Sequence, residues 1–457
     1  MKLYKYLKIL LLSGLFMSSS CSSFVDIPLP ENEILAERIF ENEETARTAM
    51  AGVYSQIMSA NLHLASGGLS VYMGLAADEL RNTAPNTVAD AFAQNALTSN
   101  LSAIGANFWN SSYNLIYHLN TIIEGLSDND RLTEQARTEI VAEAKLLRAF
   151  YFFYLVNLFG DIPLPVSSDF RANATLKRVS KEEVYGFILD DLMYAASDLD
   201  NERVGAYPSS MAAKAMLARV YLYREEFEAA RQMANEVISS DLFRLADTEN
   251  TFKAASTETI WAIKPLQGNP RNTVEGNVFI PAAASARPNY ALYEGFVSSY
   301  DVKDNRKRNW IGESEVNGET FFYPYKYRLR DGSRYEEDNI IIRLAELYLI
   351  RAEALAHQGD LPAAAVDVNK IRSRAGIDPI TASDFSAEQM INQILQERQR
   401  EFFAEWAHRW FDLKRTHRID QVLGAMKPNW KPFAAQLPIP LTEINRNPQL
   451  KQNEGYD

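Results

Sequence analysis

Apolar residues recur along most of this chain at steps of three and four, the spacing that places side chains on one face of an α-helix. The stretch FWNSSYNLIYHLNTIIEGL carries such a stripe, formed by Trp109, Tyr113, Ile116, Asn120 and Ile123. The next stretch, EIVAEAKLLRAFYFFYLVNLFGDIPLP, is apolar nearly all round between residues 146 and 159. It therefore predicts a helix that is buried on several sides and ended by Gly160 and Pro163.

Two later stretches repeat one arrangement of small and large apolar residues. In AKAMLARVYLYREEFEAARQMANEVI, steps of three, six, three and four separate Ala218, Tyr221, Phe227, Ala230 and Ala234. In IIIRLAELYLIRAEALAHQGDLPAAAVDVNKI, the same steps separate Ala352, Leu355, Leu361, Ala364 and Val368. Small residues let two antiparallel helices approach, and this pattern is typical of tetratricopeptide-type helical hairpins. Such hairpins bury their apolar faces only by stacking, so we expect further, less regular ones.

Residues 265–338 interrupt the helical pattern. They hold eleven Gly or Pro residues and twelve aromatic residues in 74 positions, and FFYPYKYR places an aromatic residue at every second position, as strands do. We therefore predict a loop-rich insert with short strands. Residues 387–415 predict one long amphipathic helix, and the proline-rich residues 427–457 predict an extended segment that wraps over the helices. The predicted fold class is mostly α, with tetratricopeptide-type hairpins around this insert.

The first 20 residues have the layout of an export signal. Three lysines precede a short apolar run, residues 9–17, and three serines follow it. The run is shorter than the ~20 residues of a membrane-spanning helix. Cys21, the only cysteine of the chain, stands directly behind the serines. We therefore predict that residues 1–20 are a lipoprotein signal peptide and that Cys21 is the acylated N-terminus; the alternative is an ordinary cleaved signal with an incidental cysteine.

Composition and charge narrow the choice of partners. Hydrophobic residues make up 47% and charged residues 23% of the 457 positions, as in globular proteins with a large core. The net charge of −12 disfavours nucleic acid, whose phosphates need a basic surface. It also gives no attraction to anionic lipid, so membrane attachment would depend on acyl chains.

Active-site motifs of enzymes are absent from the sequence. It contains no GxSxG, no HExxH and no phosphate-binding glycine loop, and its five histidines are scattered. The adjacent carboxylates Asp78-Glu79 and Asp190-Asp191 would not face each other on a helix. We interpret the many charges of residues 398–412 as a packed helix whose charges pair with neighbours. No catalytic residue, cofactor or metal-binding residue is predicted.

Aromatic residues on irregular segments are the candidate binding groups. Sugar rings stack on Tyr, Trp and Phe, while Asn, Arg and Asp hydrogen-bond the hydroxyls. Such residues cluster in RNTAPNTVADAFAQNALTSN, residues 81–100, and in the aromatic-rich insert. Anchoring of the loops is the alternative role for each ring.

Five phrases in series resemble the SusD/RagB nutrient-binding lipoproteins of the Bacteroidetes. They are AEAKLLRAFYFFYLVNLFGDIPLP, AAKAMLARVYLYREEFEAA, IIIRLAELYLIRAEALAHQGDLPAA, INQILQERQREFFAEWAHRWFDLKR and LPIPLTEINRNPQLKQNEGYD. The resemblance runs from Cys21 to the C-terminus and implies that residues 21–457 form a SusD-like α-α superhelix. It also implies a surface lipoprotein of the outer membrane that binds oligosaccharides or peptides. Its implied partner is a SusC/RagA-type TonB-dependent outer-membrane transporter, which takes up the ligand.

The resemblance also suggests where a ligand binds. In starch-binding members, an aromatic arc just before the helix corresponding to that of Trp109, and in the mid-chain insert, forms the ligand platform. The first of these segments has no tryptophan here, so starch is not supported. We predict a shallow ligand site formed by Asn82, Asn86, Phe92, Asn95, Tyr290, Tyr293 and Trp310.

Two other classes of function remain open at this point. An exported all-helical glycoside hydrolase would need a pair of carboxylates in a deep cleft, and the sequence shows no trace of one. A periplasmic repeat scaffold that binds a protein partner would share the signal and the helical hairpins. Binding of glycans or peptides by the purified chain would separate a SusD-like nutrient-binding protein from the scaffold.

Overall fold

The structure, a computed structural model, describes residues 39–202, 205, 207–266, 271–332 and 335–456. The predicted signal peptide and Cys21 lie outside these residues. Across the described ranges, no helix is both long enough and apolar enough to cross a membrane.

Helices dominate the described residues, which confirms the predicted mostly α fold class. In chain order they are α1 (Glu43–Ser59), α2 (Gly74–Ala76), α3 (Thr87–Ala93), α4 (Ser111–Ser127), α5 (Glu134–Phe159), α6 (Phe170–Asn173), α7 (Lys181–Asp198), α8 (Ser210–Tyr223), α9 (Phe227–Ile238), α10 (Val274–Phe279), α11 (Glu294–Ser298), α12 (Asn305–Trp310), α13 (Leu344–His357), α14 (Leu361–Ala375), α15 (Ala387–Phe402), α16 (His408–Arg415), α17 (Ile419–Met426) and α18 (Leu441–Arg446). Two π-helical stretches, Leu69–Met73 and Ile104–Asn110, lead directly into α2 and α4.

The strands are short and pair two by two. They are β1 (Leu80–Asn82), β2 (Ile162–Pro163), β3 (Arg178–Val179), β4 (Thr259–Ile263), β5 (Tyr290–Leu292), β6 (Ile311–Val316), β7 (Glu319–Pro324) and β8 (Asn339–Arg343). The antiparallel pairs are β1–β5, β2–β3, β4–β8 and β6–β7. The β6–β7 hairpin turns through Asn317 and Gly318, both with positive φ, the combination that a tight two-residue hairpin turn requires.

The insert therefore has the predicted short strands, with differences of detail. The alternating FFYPYKYR stretch is strand only as far as Pro324, because Tyr325 leaves the hairpin and its backbone N–H bonds the carbonyl oxygen of Trp310. The three short helices α10, α11 and α12 also lie in the insert and were not predicted.

The two predicted hairpins are formed by α8 with α9 and by α13 with α14. Their small residues Ala218, Ala230, Ala352 and Ala364 have no exposed surface, so the helices of each hairpin approach closely. The second hairpin turns at Gly359, where φ is +84°, and the Asp360 side chain caps α14 by accepting the Ala363 N–H. The predicted hairpins are thus confirmed.

The hairpins stack into one continuous row of helices. α9 packs on α13, α8 packs on α7, α7 packs on α5, and α5 packs on α4. Phe227, the large aromatic residue at the start of α9 in the first hairpin, stacks face to face on His357 of the second hairpin, with ring centroids 3.9 Å apart. Helix α5 lies inside this row, and all its residues from 146 to 159 are buried, as predicted.

The predicted long helix over residues 387–415 is wrong, because the structure divides it into α15 and α16. Residues Ala404, Trp406 and Ala407, in the connection, have positive φ, which a continuous helix does not allow. Contacts from distant segments hold this connection. The Ala404 N–H bonds Glu79, the Trp406 N–H bonds Ser70, and the Trp406 indole bonds the Ile340 carbonyl.

The charges of this region pair with neighbours, as predicted. Arg398 bonds Asp412 at 2.8 Å, and Arg409 bonds Asp78 at 2.7 Å. The C-terminal segment also wraps over the helices as predicted, but it is not extended throughout, because Leu441–Arg446 form α18. Its Leu437 N–H bonds the Leu158 carbonyl at the end of α5.

Candidate functional site

Three of the predicted site residues come together where β1 meets β5. Asn82 on β1 lies directly opposite Tyr290 on β5, and Tyr293 follows β5 by one residue. The Tyr293 N–H bonds the Glu79 carbonyl just before β1. The structure therefore joins the polar segment after residue 80 to the mid-chain insert, as the sequence predicted.

The asparagines of this region hold the chain in place. The Asn86 side chain caps α3 by accepting the N–H groups of Val88 and Ala89. The Asn82 amide donates to Asp90 at 2.8 Å and to the Ala84 carbonyl at 2.8 Å. These bonds fix the loop between β1 and α3.

Phe92, Tyr290 and Trp310 are core residues, which corrects their predicted role as a ligand platform. They are 0%, 4% and 1% exposed. Phe92 stacks on Tyr72 with centroids 4.6 Å apart, and the Trp310 indole donates to the Thr248 carbonyl at 2.7 Å. With so little of each side chain exposed, these rings offer no free face to a sugar.

Asn95 is also buried, at 7% exposed, and its amide donates to the Ala76 carbonyl at 3.1 Å. Its backbone adopts a left-handed φ of +51°, a conformation that asparagine tolerates better than most residues. Asn95 is therefore a turn residue beneath the surface, so its predicted contact with ligand is corrected as well.

Two arginines that the sequence did not single out complete the surface here. Arg81 and Arg287 lie with their guanidinium carbons 5.1 and 5.0 Å from the ring centroid of Phe321. Arg81 also lies 3.5 Å from Glu319. We call the surface around the β1–β5 pair the β1–β5 face; Arg81, Arg287 and Tyr293 lie there, and Asn82 and Asn86 begin and end the loop that leads from β1 to α3.

Tyr293 supplies the aromatic group of the β1–β5 face. It is partly buried, and burial raises the pKa of its phenol, an effect that nearby Arg81 opposes. The tyrosine therefore keeps its proton at neutral pH and can donate a hydrogen bond. A partly exposed ring beside a guanidinium group is an arrangement suited to a polar ring-shaped ligand.

Glu79 is a buried carboxyl at the base of this face. Burial, followed by the neighbouring Asp78, raises its pKa to about 8, while Arg409 and the Ala404 N–H act in the opposite direction. One carboxyl oxygen accepts the Ala404 N–H at 3.4 Å. At neutral pH the native protein therefore holds Glu79 mostly protonated.

We expect Glu79→Gln to remove a pH-dependent loss of stability. Between the ordinary pKa of ~4.3 and about 8, the native state holds a proton that the unfolded state has lost, so native stability declines as pH rises. The decline amounts to at most ~1.4 kcal/mol per pH unit. Chemical denaturation from pH 5 to pH 8 should show a flatter profile for Glu79→Gln. The exposed Glu319→Gln variant is the control, and parallel profiles for Glu79→Gln and the parent would contradict the prediction.

A deeper concavity lies on another part of the surface and encloses about 470 Å³. The π-helical stretch before α4 supplies Trp109 and Asn110, α4 supplies Tyr117, and α6 supplies Phe170. The ion pair of Glu443 and Arg446 on α18 closes one side. We call this concavity the Trp109 groove. Sequence reasoning missed it, although aromatic residues at steps of four, Trp109, Tyr113 and Tyr117, were a visible signal.

Comparison with known proteins identifies two matching family profiles. Residues 295–456 match the SusD family, and residues 75–222 match a family described as starch-binding and associating with the outer membrane. A SusD-like protein of Formosa agariphila is 25% identical, and the match covers 97% of this chain and 98% of that protein. The starch-binding protein SusD of Bacteroides thetaiotaomicron is 23% identical over 73% of this chain and 74% of its own length.

Solved structures agree on the fold. A SusD superfamily protein from Bacteroides vulgatus superposes with a TM-score of 0.81 at 20% identity, over 90% of this chain and 99% of the other. A laminarin-binding SusD-like protein gives a TM-score of 0.76 at 21% identity, over 91% of this chain and 100% of the other. With matching profiles in both halves and relatives that align along nearly the whole length, this chain belongs to the SusD/RagB family.

Proposed function

We propose that this protein is an outer-membrane lipoprotein that binds glycans and delivers them to a SusC-type TonB-dependent transporter. The observation that carries the proposal is its membership of the SusD family. Relatives named for binding starch and laminarin support a glycan as the ligand class. Peptides, which the resemblance also allows, form the second arm of the binding test.

The β1–β5 face is the proposed contact surface. Tyr293 would stack on a sugar ring, while Arg81, Arg287 and the amide of Asn86 would hydrogen-bond its hydroxyls. Asn82 would act as a positioning residue, since its amide already holds the loop. A face of this kind buries little ligand surface, so we expect weak binding by the isolated protein.

The transporter would strengthen that binding. An acyl anchor at Cys21 would confine the protein to the plane of the membrane and raise its effective concentration beside the transporter. Closure over the mouth of the transporter would enclose the ligand between the two proteins. The protein would then act as a lid that retains a ligand which either surface alone holds weakly.

Isolation of the native, lipidated protein in mild detergent tests this proposal. We expect a TonB-dependent transporter to be recovered in near-equal amount, and deletion of this protein to reduce glycan uptake. Recovery of the protein alone, together with unchanged uptake, would rule out the lid. Binding of neither oligosaccharides nor peptides by the purified chain would instead favour a protein-binding scaffold.

Loss of the Tyr293 ring should weaken binding of the cognate oligosaccharide. If a sugar stacks on tyrosine as a base does, Tyr293→Ala should cost ~1–3 kcal/mol of binding free energy. Calorimetric titration measures the change. Tyr207→Ala removes a ring that is 50% exposed and lies outside this face, so it serves as the matched control. Equal affinity of Tyr293→Ala and the parent would show that Tyr293 does not contact the ligand.

A further inference from the structure

We propose that the Trp109 groove is a second carbohydrate site, which binds a segment of a neutral oligosaccharide. None of its lining residues belongs to the β1–β5 face, so it is a separate site. Its volume of about 470 Å³ falls within the ~300–1,000 Å³ of small-molecule sites in proteins.

Two exposed rings on the groove provide stacking surfaces. Tyr117 on α4 is 42% exposed, and Phe170 on α6 is 67% exposed. Single exposed apolar residues are common, but these two belong to different elements and line the same cleft. Aromatic rings that line one cleft can hold the flat face of a sugar.

Trp109 lies deeper and shapes the floor of the groove. It is 4% exposed, and its ring packs edge-on against Phe159 with centroids 4.9 Å apart. The neighbouring Tyr113 hydroxyl donates to the Pro163 carbonyl at 2.8 Å, which holds the β2 side of the groove. The site is therefore largely formed before a ligand arrives, which reduces the entropy lost on binding.

The groove also has a free amide. Asn110 is exposed, and its side chain makes no hydrogen bond to any residue that the structure describes. It lies at the end of the π-helical stretch Ile104–Asn110, and π-helical turns occur frequently at functional sites. An amide offers both a donor and an acceptor, the combination that matches a sugar hydroxyl.

The charges of the groove select the class of ligand. Its only charged lining residues in the described chain, Glu443 and Arg446, pair with each other at 2.8 Å. The lining is therefore neutral overall and offers no unpaired cation to a carboxylate or phosphate. A net charge of −12 on the whole chain further disfavours nucleotides, whose bases could otherwise stack on the same rings.

The groove site is tested by calorimetry on the natural lipoprotein in mild detergent. The probes are neutral hexasaccharides of the β-1,3-glucan, α-1,4-glucan, β-1,4-xylan and β-1,4-mannan series, with an anionic oligogalacturonate for contrast. The groove variants are the double substitution Tyr117→Ala/Phe170→Ala and the single substitution Asn110→Ala. Tyr293→Ala changes the β1–β5 face, and Tyr207→Ala is the control. Because Tyr117, Phe170 and Asn110 are exposed, these variants should fold, and thermal unfolding checks this.

For at least one neutral hexasaccharide, we expect the double groove variant to bind ~10-fold or more weakly than the parent, or to show one binding site where the parent shows two. Asn110→Ala should weaken the same interaction several-fold. Tyr293→Ala and Tyr207→Ala should leave this site intact.

Three results would overturn the groove site or the ligand class assigned to it. If neutral oligosaccharides bind but their affinity falls only in Tyr293→Ala, the groove proposal fails while the proposed glycan-binding function stands. If only the anionic probe responds to the groove variants, the assigned ligand class is wrong. If the parent binds none of the probes, the groove site and the proposed function fail together.

Discussion

Arg343→Met is expected to lower the free energy of unfolding by ~3–5 kcal/mol, because it removes the central cation from a buried cluster of carboxylates. Arg343 is 2% exposed. It is the last residue of β8, and α13 begins at the next residue. Its guanidinium bonds Glu258 at 2.8 Å and Glu405 at 3.0 Å, and it also bonds Glu401. These contacts join the end of β8 to the residue before β4, to α15 and to the connection after α15.

The remaining cations cannot fully replace Arg343. Burial disfavours ionisation of Glu401, yet Arg374, Arg343 and Arg306 together hold its pKa well below the ordinary value. Glu405 relies on Arg343 and on Lys326, whose own pKa falls to about 8 through burial. Without Arg343, at least one carboxylate would remain buried with too little positive charge nearby.

Chemical denaturation monitored by circular dichroism measures this effect. Arg231→Met is the matched control, because Arg231 pairs with Glu228 at the surface, where their side chains are 39% and 67% exposed. Exposed pairs contribute about 0–1 kcal/mol, so the control should change stability little. Equal stability of both variants would show that the buried cluster tolerates the loss of its central cation.

Cys21→Ala is expected to move the protein almost entirely from the membrane fraction to the soluble fraction. Cys21 is the only thiol in the chain, so no other cysteine can carry the anchor. Each buried methylene of an acyl chain contributes ~0.8 kcal/mol to membrane binding, and stable anchoring needs more than one chain. The net charge of −12 offers no compensating attraction to anionic lipid.

Fractionation of cells and mass spectrometry of the mature N-terminus test the anchor together. Ser22→Ala is the control, since it changes the neighbouring residue and keeps the thiol. An unmodified Cys21, cleavage at another position, or retention of Cys21→Ala in the membrane fraction would contradict the proposed lipidation.

Periodicity determined the helical part of the fold. The repeated steps around Ala218 and Ala352 predicted two hairpins that the structure contains, because a small residue at a helix crossing is a local requirement. The apolar run of residues 146–159 likewise predicted a fully buried helix, since a helix that is apolar all round must be covered all round.

Local sequence did not predict the break between α15 and α16. Residues 403–407 contain no Gly or Pro, so their pattern continues that of a helix. The break depends on acceptors far away in the chain, Glu79 and Ser70, which bond backbone N–H groups of the connection. Such long-range bonds leave no periodic signal in the sequence.

For the candidate site, the sequence determined the chemistry of the segments and the tertiary structure decided which side chains reach the surface. The polar segment after residue 80 and the aromatic insert do meet, through the pairing of β1 with β5. Aromatic residues have the same local signature whether they pack or bind, so the sequence could not separate the buried Phe92 and Trp310 from the partly exposed Tyr293. The Trp109 groove depends on α4, α6 and α18, which only folding brings together.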